Sequence, residues 1–62
     1  MTENLAIWLH EGKNKGAIHL MVFLDTSSDT YFPVYVMPNE NLNQKRREFE
    51  KDSWTLAYDY KI

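Results

Sequence analysis

Residues 17–25 of this chain, AIHLMVFLD, are apolar on both sides of a two-residue alternation. In an extended strand Ile18, Leu20, Val22 and Leu24 point one way, and His19, Met21 and Phe23 point the other. A strand with one wet face carries polar residues on that side. This segment is therefore predicted to run through the middle of a sheet with both faces covered. Residues 31–37, YFPVYVM, are rich in β-branched and aromatic side chains and predict a further strand. Its two sides are Phe32, Val34 and Val36 against Tyr31, Tyr35 and Met37. Pro33 has no N–H for a ladder, which places the strand at an edge or turns the proline nitrogen away from its neighbour. Residues 53–62 alternate cleanly, with Trp54, Leu56, Tyr58, Tyr60 and Ile62 on one side and Thr55, Ala57, Asp59 and Lys61 on the other.

The amino-terminal part reads the same way. Across residues 4–11, Leu5, Ile7 and Leu9 alternate with Ala6, Trp8 and His10, and a GKNKG turn at 12–16 follows. A hairpin is the expectation, because both glycines tolerate positive φ. With Lys13 and Asn14 at its tip, Leu9 faces Ile18, Ile7 faces Leu20 and Leu5 faces Val22, while Trp8 stands opposite His19. Between the strands at 31–37 and 53–62, a helix is predicted from about Asn41 to about Asp52. Asn39 or Asn41 caps it, and Gln44 stands three residues after Asn41 in capping-box position. Only Leu42 and Phe49 are apolar within this helix, so its apolar stripe is narrow.

These elements predict an α+β domain spanning residues 1–62, with a four-stranded, mainly antiparallel sheet in the order β-β-β-α-β and one helix packed on one face. The last strand lies either beside the first or outside the third, and either sheet face can take the helix. Sixty-two residues make one domain near the lower limit for unaided folding. The chain has no cysteine, so no disulfide reinforces the core. A content of 44% hydrophobic and 15% aromatic residues nevertheless marks an ordered chain. Uncharged runs such as residues 16–24 are far short of a membrane span, and the first residues lack the basic start and cleavage site of a secretory signal. A cytoplasmic protein without membrane association is expected.

Candidate chemistry is sparse. In the hairpin register His10 and His19 share a face, but no further residue stands at metal-ligand spacing, so no metal and no cofactor is expected. Ser27, Ser28 and Ser53 have no histidine placed to activate them, and no glycine loop precedes a helix to hold phosphate. The protein is read as not an enzyme. Lys45-Arg46-Arg47 together with aromatic strands raises single-stranded nucleic-acid binding as an alternative. Against it, Glu48, Glu50 and Asp52 follow at once, and the net charge is −2. The same modest charge argues against a nucleic-acid mimic.

One helix with two apolar anchors leaves a sheet face short of cover. The candidate partner-binding surface is Trp8, Met21, Phe23, Tyr31, Tyr35 and Met37, flanked by His10 and His19, in residue types common at protein interfaces. The expected function is a small non-enzymatic protein-binding domain that acts on another protein and also pairs with itself as a homodimer. By analogy alone, such a domain fits an inhibitor of a host protein carried by a phage or mobile element. A purely structural subunit of a homo-oligomer is the other alternative.

Overall fold

The computed structural model of the chain describes residues 2–51 and 53–62, with side chains from residue 4 onward. Three antiparallel strands, β1 (His19–Asp25), β2 (Thr30–Val36) and β3 (Trp54–Lys61), form one sheet in the order β2-β1-β3. Helix α1 (Thr2–Asn14) precedes β1, and helix α2 (Leu42–Phe49) connects β2 to β3. The α+β class holds. Among the described residues the sheet has three strands rather than the expected four, and the chain has two helices rather than one.

β1 occupies the centre, as its two apolar sides require. Leu20, Met21, Val22 and Phe23 are all 0% exposed, so both faces of the strand are closed. The phase of the ladder follows from the Ile62 N–H, which donates to the Ile18 carbonyl at 3.0 Å. Two residues on, Leu20 and Tyr60 exchange backbone hydrogen bonds, and Val22 and Tyr58 do so next. β1 therefore turns the backbone of Met21 and Phe23 toward β2. Pro33, opposite Val22, keeps its nitrogen on the open side, where no hydrogen is missed. β2 is an edge strand for that reason.

The hairpin expected over residues 4–16 is instead a helix and its stop. Leu5, Trp8, Leu9 and Gly12 recur at helical spacing, and these positions are buried or half-buried while Ala6, Ile7 and His10 are exposed. So short a segment fits both periods; Leu5, Ala6, Leu9 and Glu11 are strong helix formers, and only Ile7 is β-branched. Gly16, at φ +83°, closes the helix. The Ala17 N–H donates to the Gly12 carbonyl at 2.8 Å and the Gly16 N–H to the Lys13 carbonyl at 3.2 Å, the paired bonds of a Schellman motif. Gly12 permits close approach: a Cβ there would stand 2.8 Å from Ile62 Cδ1 and 3.1 Å from the Tyr35 ring. The carboxyl end of α1 thus rests on the face that carries Leu20 and Tyr35. With no strand drawn from residues 4–11, β3 takes the place beside β1.

α2 covers the other face. Leu42 and Phe49 pack on the buried cluster Met21, Phe23, Val34 and Val36, joined by Phe32, Trp54 and Leu56. Phe23 stacks on Phe32 with centroids 5.8 Å apart, and Phe32 meets the edge of Trp54 at 5.1 Å. Asn41 caps the helix by accepting the Gln44 N–H at 3.0 Å. The helix stops at Phe49; its expected end, Asp52, lies outside the described residues. Two anchors suffice because the sheet supplies the rest of the aromatic cluster.

Candidate functional site

The register between β1 and β2 divides the expected partner-binding residues between the two faces. Asp25 pairs with Thr30, so odd positions of β1 stand opposite even positions of β2. Met21 and Phe23 therefore join Val34 and Phe32 beneath α2, fully buried. Tyr31 and Tyr35 join Leu24 and Leu20 on the opposite face. Trp8 is half-buried and His10 exposed, both in α1, and half-buried Met37 donates its N–H to Glu40 Oε1 at 2.8 Å. The eight residues make no single surface, and Met21 and Phe23 are core. Parity is the physical reason: shifting one strand by a residue exchanges all its side chains between faces.

A different aromatic group reaches solvent on the α1 side of the sheet. Tyr58 stands opposite Val22, Tyr60 opposite Leu20 and Tyr31 opposite Leu24. The Tyr31 and Tyr58 rings lie 6.3 Å apart, as do those of Tyr58 and Tyr60. The three rings bridge over β1 and help seal it, while Tyr31 and Tyr58 remain 39% and 42% exposed. Tyr35 is turned to α1. Its hydroxyl makes a long 3.4 Å bond to Glu11, and Lys15 Nζ sits 4.4 Å from its ring centroid. Burial, then the Glu11 carboxylate, push the Tyr35 hydroxyl above its ordinary value.

Tyr58 and Tyr60 did not stand out in the sequence because residues 53–62 alternate without a break. The ladder shifts between Val22 and Phe23, and Ala57 is the extra residue on β3. Trp54 and Leu56 consequently face α2, while Tyr58 and Tyr60 face the other way. No glycine or proline marks that bulge.

The remaining polar groups are dispersed. His19 Nε2 contacts Asp59 Oδ1 across β1 and β3. The hydroxyls of Ser27 and Ser28, in the loop between β1 and β2, stand beyond the opposite end of β1. There Ser27 donates its hydroxyl to Asp25 at 2.6 Å, the main cause that holds the Asp25 carboxyl below its ordinary value. A shallow depression lies beside it, lined by Ser27, Lys51, Ser53 and Trp54. His10 and His19 belong to different elements. Among the described residues no group of three or more His, Asp or Glu is placed to hold a metal, and no helix is long and apolar enough to cross a membrane. Lys45 is paired with Glu40 at 2.7 Å, and α2, which carries Arg46 and Arg47, covers the face opposite Tyr31 and Tyr58.

No protein-family model matches the chain, and neither characterised proteins nor solved structures give a match.

Proposed function

We propose that this chain is a small non-enzymatic domain that binds another protein through the tyrosine face beside α1. The observation that carries the reading is the adjacent pair Tyr31 and Tyr58, both well exposed on the strands that flank the buried Leu20–Phe23 segment of β1. Tyrosine supplies large apolar area with little side-chain entropy to lose, and its hydroxyl seeks an acceptor. The partner surface that fits is apolar, with carbonyl or carboxylate oxygens at its rim.

Nucleic-acid binding is supported less well, because its two ingredients lie on opposite sides of the sheet. The aromatic rings open to solvent stand on the α1 face, and the basic run rides on α2. Stacked bases and their phosphates need both on one path.

The test replaces Tyr58 with a photo-reactive phenylalanine derivative, in parallel with the same substitution at Asn43 on exposed α2. Cross-links from position 58 to one protein, absent from position 43, are expected. With that partner purified, Tyr31→Ala and Tyr58→Ala should each weaken binding by about 2 kcal/mol, roughly thirtyfold. Saturable binding of a single-stranded oligonucleotide that falls steeply with salt, unaffected by the tyrosine variants, would overturn the reading.

A further inference from the structure

The two edges of the sheet differ. On β2 the middle of the open edge is Pro33, which offers no donor. On β3 the outward-facing residues follow from the same ladder phase: Tyr58, Tyr60 and Ile62 spend their backbone groups on β1, so Asp59 and Lys61 present theirs outward. Nearer the start of β3, Trp54 is already occupied, since it and Lys51 exchange backbone hydrogen bonds at 3.1 and 3.2 Å. Among the described residues no strand lies beyond β3, and no further backbone bond takes up the N–H and C=O groups that Asp59 and Lys61 present on that edge.

Charged residues on an edge strand ordinarily discourage pairing. Here their order reverses that effect for one partner. When Asp59-Tyr60-Lys61 meets a second copy antiparallel about Tyr60, each Asp59 stands directly opposite Lys61 of the second copy, on the same face. Each such couple exchanges both backbone bonds as well as opposite charges. A register centred one residue earlier would oppose Asp59 to itself, and like charges directly opposite are unfavourable. On the other face the same alignment sets Tyr60 against Tyr60 and Tyr58 against Ile62 of the second copy.

We infer that two copies of this chain pair edge to edge through Asp59–Lys61 of β3, making one continuous six-stranded sheet with a two-fold axis at Tyr60. The occupant is a second copy because the charge sequence is complementary to itself when reversed. The contact is isologous and closes at two chains, since Pro33 blunts the outer edges that remain. Tyr58 stands at this seam, opposite Ile62 of the second copy, whereas Tyr31 lies two strands away on β2 and remains free to dock another protein.

The test pairs two charge variants. Asp59→Lys and Lys61→Asp should each weaken self-association by about tenfold or more, because each opposes like charges twice about the axis. Mixed together, they should associate as tightly as the unaltered chain, since the lysine introduced in one then meets the aspartate introduced in the other. Sedimentation over a wide concentration range reads this, and circular dichroism confirms that each variant is folded. Amide hydrogen exchange of the unaltered chain gives a readout independent of the variants. The N–H groups of Asp59 and Lys61 should be protected at high concentration and exchange freely on dilution. A monomer at every concentration, single variants that associate unchanged, a mixture that fails to recover, or protection only with a foreign protein would each overturn the inference. A photo-reactive residue at Tyr31, which lies on β2 away from this seam, should keep its cross-links in the charge variants, and that keeps this outcome separate from that of the tyrosine face.

Discussion

Two glycines show how one residue type serves different physical ends within five positions. Gly12 is needed for what lies outside it, the Tyr35 ring and Ile62, which a side chain would push away. Gly16 is needed for its own backbone: its φ of +83° is a region in which a Cβ is strained, and nothing lies within 4 Å of it. Gly16→Ala should therefore cost about 1 kcal/mol in chemical denaturation, with no change in packing. In the sequence both positions signal a turn. Only their partners tell a hairpin tip from the close of a helix.

At the scale of elements, α2 is a weak helix held in place by what it covers. Its interior is polar apart from Leu42 and Phe49, and the Phe23 and Trp54 rings meet Phe49 at centroid distances of 6.0 and 6.2 Å. Propensity contributes little to so short a helix, so the cap and the packed ring carry most of its stability. Loss of the cap in Asn41→Ala should lower stability by about 1 kcal/mol, read as a shift of the thermal midpoint. Both anchors are legible in the sequence, the cap as a choice between Asn39 and Asn41, and so are the strands at 31–37 and 53–62, to within a residue or two. What is not legible is the bulge at Ala57, which sends the two halves of an unbroken alternation to opposite faces. The length of the β1–β2 loop is equally silent. Counting Thr30 in the loop or in the strand reverses which side of β2 meets Met21, and the polar run Thr26–Thr30 allows either.

For the whole molecule, the closed central strand replaces the expected gap in coverage. α1 and the tyrosine rings seal one side, and α2 with its aromatic cluster seals the other. Glu40 accepts from Lys45 Nζ at 2.7 Å and from the Met37 N–H at 2.8 Å, which hold its carboxyl below the ordinary value of 4.5. Asp25 is held below 3.8 by Ser27. A lowered folded-state value means that the unfolded chain takes up protons first as pH falls. Stability from these groups is present above their ordinary values and is lost on acidification through 4.5 and below. Thermal melts should show Glu40→Gln less stable than the unaltered chain at neutral pH, with the difference narrowing as pH falls below 4.5. A constant gap across that range would assign the loss to packing instead.

The sequence alone determined the central strand, the second helix and the α+β class, and it narrowed the proline-bearing strand to an edge or an outward-turned nitrogen and the helix cap to Asn39 or Asn41. Each rests on local chemistry: apolar residues on both sides of a strand, a missing N–H, an asparagine oxygen in reach of a backbone donor. Tertiary structure decided the rest. Residues 4–11 satisfy helical and extended periods alike, and they become a helix because Gly12 fits against Tyr35 and Ile62 while Gly16 closes the turn. The partition of aromatic side chains between buried and exposed faces depends on strand register. Register is a relation between segments distant along the chain, and one residue of slip exchanges every side chain.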